Sequence, residues 1–257
     1  MLLSIIMSVY NNERTLKDTM NSIINQTYEE FEFIIVNDCS TDNSIEIIKE
    51  YMKNDNRIKL IENKINLGLP KSLNKAFNQS KADYIIRIDG DDICMLNRFE
   101  KQIKFMEENQ EIDILGTGAI LINQEGKDMG KINMPKTNSE IYKAIKYKNP
   151  MIHPSIMMKR EVLENLNGYD EKLRKAQDLD LWSRALDQNM NFYNIQEYLI
   201  KYRIDLEKSY STIFKGFKVS FMKALKFRSL KGMTWSILEL IRYILVKLKF
   251  YTPRSMR

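Results

Sequence analysis

The chain has 257 residues, 44% of them apolar, which is enough for one large domain or a domain with a subsidiary lobe and too apolar for a disordered segment. Its 40 basic and 34 acidic residues give a formal charge of +6, too mild to imply a nucleic-acid partner, and the excess gathers after Lys201. Cys39 and Cys94 offer no CxxC pair, zinc spacing or disulfide framework and fit a reducing compartment, while Leu2 to Val9 lacks a basic flank and a cleavage site and reads as a strand rather than a signal peptide.

In chain order the first half alternates. Strands are expected at Leu3 to Val9, Phe31 to Val36, Ile58 to Ile61 and Tyr84 to Ile88, and helices at Glu13 to Asn25, Asp42 to Met52 and Pro70 to Gln79. Near-continuous apolar strands such as Phe33-Ile34-Ile35-Val36 fit a parallel sheet covered on both faces, with helical crossovers. The loops Tyr10 to Glu13, Asn37 to Asp42 and Asp89 to Asp92 then share one sheet edge, where α/β folds place ligands. A helix from Asn97 to Asn109, a strand from Asp113 to Asn123, a turn at Gln124 to Gly126 and a return ending near Met134 read as a mixed-sheet extension. After these come a helix near Ser139 to Tyr147, a strand Ser155 to Lys159, a helix Arg160 to Leu166 and a helix Leu179 to Asn189. No linker or repeat supports a domain break before about residue 205.

Tyr84 to Asp92 is the most telling stretch, a buried strand that runs into Asp89-Gly90-Asp91-Asp92. Three carboxylates at a strand end repel one another unless a cation sits among them, and hard oxygen ligands suit Mg²⁺ or Mn²⁺ rather than zinc. The sequence carries neither an EF-hand loop, nor a Walker P-loop, nor GxGxxG, and its single histidine, His153, excludes multi-histidine metal sites. Phosphate must therefore be held through metal. Trp182 sits on an apolar helix face and reads as core.

Several motifs occur in an order that resembles the family-2 glycosyltransferases of the GT-A fold, from Leu3 to about Ser211: Ser4 to Asn11, Ile34 to Asp42, Asn66-Leu67-Gly68, Asp89-Gly90-Asp91-Asp92, His153-Pro154-Ser155, Gly168-Tyr169-Asp170, Asp178-Leu179-Asp180-Leu181-Trp182 and Tyr202-Arg203. The resemblance implies a Rossmann-type mixed sheet flanked by helices. It also implies that Asp38 contacts the nucleotide base with Tyr10 and Glu13 beside it, that Gly68 belongs to the nucleotide-sugar site, that Asp89 reaches the ribose or a water on the metal, and that Asp91 ligates Mn²⁺ or Mg²⁺. Asp178 would be the general base of an inverting transfer, at a helix start whose dipole favours an ionised carboxylate. On its own, Asp178 reads equally well as a helix cap. Arg203 would contact diphosphate, and His153 and Gln177 would shape the acceptor side. Gln177 stands where relatives often have Glu, and Asp205 where many have a histidine.

Beyond Thr212, lysines interleave with aromatics, and Trp235, Leu238, Ile241, Leu245 and Leu248 form one helical stripe interrupted by charge. That pattern fits a basic amphipathic helical tail, residues 212–257, lying on an anionic membrane rather than crossing it. The sequence thus predicts a catalytic domain over residues 1–211, cytoplasmic and peripheral on the inner face of the membrane. Its expected partners are a nucleotide-diphosphate sugar, with UDP as the expected nucleotide, and a carbohydrate or lipid-linked acceptor, in the assembly of capsule, exopolysaccharide or lipopolysaccharide. The alternatives are a nucleotidyltransferase, disfavoured because Tyr10-Asn11-Asn12-Glu13 is no phosphate loop, and a noncatalytic carbohydrate- or membrane-binding protein.

Overall fold

A computed structural model describes residues 3–204 and Ile237. The predicted tail after Thr212 and Asp205 therefore lie outside the described residues, Ile237 apart. Among the described residues, strands β1 (Leu3–Val9), β2 (Phe31–Asn37), β3 (Ile58–Glu62), β4 (Tyr84–Asp89), β5 (Ile93–Cys94), β6 (Ile114–Ile122), β7 (Asp128–Ile132), β8 (Met157–Lys159) and β9 (Phe192–Arg203) form one sheet. Its order is β3-β2-β1-β4-β8-β6-β9-β5, with β7 paired to β6. The β3-β2-β1-β4 half is parallel, and β8 joins β4 and β6 antiparallel, so the mixed extension expected from the sequence is present.

Alternation along the strands assigns side chains to two cores. Leu3, Ile5, Met7 and Val9 of β1 pack with Ile86 and Ile88 of β4 beneath helices α1 (Leu16–Ile24), α2 (Ser44–Met52) and α4 (Arg98–Glu108). Ile6, Ile34, Val36 and Ile85 point to the other face, under α3 (Leu69–Gln79), α5 (Asn138–Ala144), α6 (Arg160–Asn165) and α7 (Gln177–Asp187). Trp182 is fully buried in this second core, as its helical spacing predicts. A side-chain period of 2 on strands, each buried on both faces, produces the continuous apolar runs seen in the sequence.

Three elements differ from expectation. The strand predicted from Ser155 begins only at Met157, because Pro154 lacks an N–H for the ladder and His153–Ser155 instead form a 3₁₀ turn. The twelve-residue β9 was not anticipated. Gln196 and Glu197 bulge out of its pairing with β6, between Thr117↔Ile195 and Gly118↔Tyr198, and the extra residues break the alternation by which a strand is read. Gly118 fits under that bulge because a Cβ there would meet the Glu197 carbonyl at 3.1 Å and the Tyr198 ring at 3.0 Å. The two-residue β5 is too short to show a period.

The edge opposite the ligand side is tied together by Glu32. Its buried carboxylate accepts hydrogen bonds from Ser4 Oγ (2.6 Å), the Lys81 N–H (2.7 Å) and Lys59 Nζ (2.6 Å), joining β1, β2, β3 and the segment entering β4. Burial alone would raise its pKa, but the bonds from Lys59, Ser4 and Lys81 outweigh it and hold the carboxyl below its ordinary value. Such a depressed group adds stability at pH values above about 4.5, and that stability is lost as acid titrates the folded state. Glu32→Gln should therefore lower stability by about 1–3 kcal/mol at pH 7, a gap that closes as unfolding is measured at progressively lower pH.

Candidate active site

Four loops meet at the C-terminal edge of the parallel strands, as their β/α order predicts. The loop after β1 is bonded to the loop after β2: the Asn11 N–H donates to Ser40 Oγ (3.1 Å), the Asn12 N–H to Ser44 Oγ (2.9 Å) and the Glu13 N–H to Asp42 Oδ2 (3.0 Å). Glu13 Oε2 in return accepts from the Asn43 N–H and side-chain amide, at the start of α2. Thr15 Oγ1 donates to the Gly90 carbonyl (3.2 Å), so the first loop also braces the acidic turn. Tyr10 projects half-exposed from this edge, and Ile65, on the loop after β3, is 66% exposed.

Asp38 is where the sequence places it, but its carboxylate serves the protein interior. It is 2% exposed; Oδ1 accepts from the Leu67 N–H and Asn63 Nδ2, and Oδ2 from the Gly68 N–H, all at 2.8 Å. Both oxygens of Asp38 thus pin the Asn66-Leu67-Gly68 loop against the end of β2. Gly68, at φ +87° and ψ 160°, occupies a conformation open to glycine, and Pro70 follows in the first turn of α3.

At the end of β4, Asp89, Asp91 and Asp92 bring carboxylate oxygens within 4.8 Å of one another. Asp89 is held by a two-pronged ion pair with Arg87, two residues back on the same strand face, through Nη1–Oδ2 (2.7 Å) and Nη2–Oδ1. Asp92 is fully buried; Oδ1 accepts from the Arg203 N–H (2.7 Å), and Oδ2 has no partner. Desolvation, then the neighbouring charge of Asp89, pushes Asp91 up to about 6 against the pull of Arg87 and Arg203. Desolvation and the charges of Asp89 and Asp91 push Asp92 well above the usual carboxylate range. An orphaned buried oxygen beside two further carboxylates is a donor set that fits Mg²⁺ or Mn²⁺. Tyr202 faces the same cluster, and its phenol is pushed up first by burial and then by Asp89, Asp92 and Asp91.

Arg203 is buried and spends its Nε and Nη1 donors on main-chain carbonyls. Its Nε donates to the Asp91 carbonyl and its Nη1 to the carbonyls of Asn123 and Gln124, each at 2.8 Å. The end of β9 is thus strapped to the acidic turn.

The other wall is built by the segment 165–178. Arg184 of α7 donates to the carbonyls of Leu166 (2.6 Å) and Gly168 (3.0 Å), and Asn74 of α3 bonds both the N–H and the carbonyl of Tyr169 (2.9 Å each). Gly168 is required there, at φ +69°, because a Cβ would lie 2.5 Å from Asn74 Oδ1. Asp178 is the second residue of α7, whose N-cap is Ala176 at φ +56° with no side-chain cap. The capping interpretation of Asp178 is therefore set aside: its Oδ2 accepts from Asn149 Nδ2 across the site. Gln177 is partly buried beside it. His153 is buried, with Nε2 2.9 Å from Tyr169 Oη and its ring edge-on to Trp182 at 5.9 Å. Burial, reinforced by Arg87, lowers its pKa well below the usual value, so the ring is neutral.

Residues 4–166 match the family model for glycosyl transferase family 2. The chain belongs to that family. It is 40% identical over 221 residues to an uncharacterized glycosyltransferase of Methanocaldococcus jannaschii, covering 85% of this chain and 76% of that protein. It is 35% identical over 211 residues to the O-antigen biosynthesis glycosyltransferase WbnJ of Escherichia coli, covering 79% and 80% respectively. The fold is similar to the mannosyltransferase PcManGT of Pyrobaculum calidifontis, solved with GDP-Man and Mn²⁺ (TM-score 0.70, 14% identity, 98% of this chain and 76% of that one). It is also similar to S. aureus TarS solved with UDP-GlcNAc (TM-score 0.67, 20% identity, 96% and 73%). These likenesses bear out the GT-A-type mixed α/β fold, and family membership sets the nucleotidyltransferase reading aside.

The glycosyltransferase sequence gave no local sign of Arg87, Asn74, Asn149 or Arg184, polar residues whose partners are remote in the chain or hidden within the strand pattern. The acidic cluster has a thermodynamic signature in the metal-free protein. A carboxyl whose folded pKa exceeds its unfolded value loses stability as pH rises between the two, from about 4 to about 6 for Asp91. Asp91→Asn should consequently raise the metal-free melting temperature at pH 7.5, by the equivalent of about 1–3 kcal/mol, and give little change near pH 4. Calorimetry in the presence of a chelator checks the sign.

Proposed function

We propose that this glycosyltransferase moves a sugar from a nucleotide-diphosphate donor, UDP-linked, to a glycan or lipid-linked acceptor with inversion at the anomeric carbon, in the assembly of a surface polysaccharide. The observation that carries the reading is the acidic cluster at the end of β4, where Asp89, Asp91 and Asp92 bring carboxylate oxygens within 4.8 Å of one another and Asp92 Oδ2 is buried without a partner. UDP-GlcNAc in TarS and the O-antigen role in the name of WbnJ support the donor class and the setting.

In this reading Asp91, with Asp92 Oδ2 beside it, holds Mn²⁺ or Mg²⁺, and Asp89 faces the donor ribose. A divalent cation there supplies neutralisation of the diphosphate and of the charge that develops on the leaving group. Tyr10, Glu13 and Ile65 line the base pocket, while Asp38 supports it from behind through Leu67 and Gly68. Arg203 supports the diphosphate region through the Asp91 carbonyl. Asn149 engages Asp178 Oδ2, which leaves Oδ1 to take the proton of the acceptor hydroxyl as that oxygen attacks opposite the leaving group. His153, neutral and buried, fixes Tyr169 on the acceptor side, and Gln177 adds an uncharged neighbour to the base.

Asp178→Asn should retain UDP binding and lose transfer by about a hundredfold or more, the scale of a removed general base. Transfer near the wild-type rate, where chemistry is limiting, would give the base role to another residue. Asp91→Asn should weaken UDP binding in Mn²⁺ far more than in chelator.

Among the described residues no helix is long and apolar enough to cross a membrane. We place the enzyme on the inner face of the cytoplasmic membrane through residues 212–257, whose lysines, each contributing roughly 1 kcal/mol near an anionic surface, precede an apolar stripe. Co-sedimentation with anionic vesicles should be strong at low salt, weaker at high salt, and lost when the protein is truncated after Ser211. Binding that persists after truncation would move the contact to the catalytic domain.

A further inference from the structure

Arg87 is the buried charge that the proposed chemistry does not use. It is 1% exposed and lies where the parallel half of the sheet meets its antiparallel extension, with β1 on one side through Ile6 and the carbonyl of Ile156, which leads into β8, accepting its N–H at 3.2 Å on the other. Ile85, Arg87 and Asp89 alternate onto one face of β4, and Ile85 is part of the core that also contains Tyr169 and Trp182. Arg87 thus stands where that core ends and the acidic turn begins. Burying a guanidinium among aliphatic and aromatic side chains is costly unless its partner is well placed. Here the partner is Asp89, gripped at both oxygens, and Nε is left buried without an acceptor. A position needed for packing alone would be filled as well by an apolar residue, with no orphaned donor.

One geometric consequence follows. A carboxylate held by both oxygens has a fixed plane and presents only its remaining lone pairs outward, so Asp89 cannot swing into the position left open beside Asp92 Oδ2.

We propose that Arg87 is a positioning residue for the transferase reaction. Its two-pronged grip sets Asp89 toward the donor and keeps Asp89 out of direct competition for the metal, leaving Asp91 and Asp92 as the ligand pair. A lysine, a single flexible point charge, supplies the same charge without that plane. The inference rests on the metal-and-donor reading of the acidic turn, and the test separates the two.

The test uses the full-length protein and measures Mn²⁺ binding by electron paramagnetic resonance and Mn²⁺-dependent UDP binding by calorimetry. It compares wild type, Arg87→Lys, Arg87→Met, Asp89→Asn and the double variant Arg87→Met/Asp89→Asn, each with its melting temperature. Arg87→Lys is expected to melt within a few degrees of wild type yet bind UDP with Mn²⁺ at least tenfold more weakly. The double variant should bind no worse than Asp89→Asn, because Arg87 acts through Asp89. Unchanged affinity in Arg87→Lys, or losses that simply add in the double variant, would overturn the proposal while leaving the metal site standing. If wild type itself binds neither Mn²⁺ nor UDP with Mn²⁺, the donor reading fails and this inference falls with it. Should Arg87→Met fail to fold, the Lys variant and Asp89→Asn still decide, since a purely structural arginine would change melting and not the affinity of folded protein.

Discussion

Repulsion among Asp89, Asp91 and Asp92 is the constraint around which the rest of this molecule is arranged. Three carboxylates within 4.8 Å at the end of a buried strand would disrupt the turn if left to themselves. The fold answers with two arginines placed differently. Arg87 comes from within β4 and engages a carboxylate directly, whereas Arg203 arrives from the last turn of β9 and takes the main-chain carbonyls of the same loop. Neither reaches Asp92 Oδ2, and the incomplete compensation leaves one buried carboxylate oxygen without a partner.

That arrangement explains why a strand as remote in sequence as β9 belongs to the active edge. Its N–H at Arg203 closes on Asp92 Oδ1, and its guanidinium closes the turn at Asn123 and Gln124, so the mixed half of the sheet fixes the loop of the parallel half. The bulge at Gln196 and Glu197 and a further one-residue shift at Leu199 together supply the change of register that brings Arg203 opposite Ile122. A sheet with regular pairing would carry that arginine elsewhere. Fold and site are coupled here through a local irregularity, as is common where backbone must be aimed at a ligand.

The two walls of the site differ in how they are stabilised. The wall formed by the loops after β1, β2 and β3 is laced by side-chain to main-chain hydrogen bonds, with Asp38, Glu13, Asp42 and Ser44 each satisfying backbone N–H groups of a neighbouring segment. The wall formed by the segment before α7 depends on buried aromatic packing, with His153 between Tyr169 and Trp182 and with Trp182 edge-on to Phe192 at 6.2 Å. Hydrogen-bonded loops keep a fixed polar shape, and α7 rides on the aromatic layer through Trp182. Arg184 and Asn74 hold the connection between them at Gly168 and Tyr169.

The sequence by itself determined the β/α alternation, the parallel half of the sheet, the convergence of the loops after β1, β2 and β4, and the acidic cluster, because each depends on local periodicity or on residues adjacent in the chain. It also set Asp178 at the start of a helix, since an acidic residue before an apolar stripe marks such a start. What only the tertiary structure decided was how these charges are used. Asp38 turns inward to hold Leu67 and Gly68, Arg203 braces the acidic turn through the Asp91 carbonyl, and Asp178 answers to Asn149 instead of capping its own helix. Arg87 reads in the sequence as an interruption in an apolar run, and only the alternation of β4 against a packed core shows that it must turn back onto Asp89. A hydrogen-bond partner separated by dozens of residues leaves no periodic trace, so the identity of each ligand-facing group follows from which strands are neighbours, and that order is fixed by packing over the whole chain.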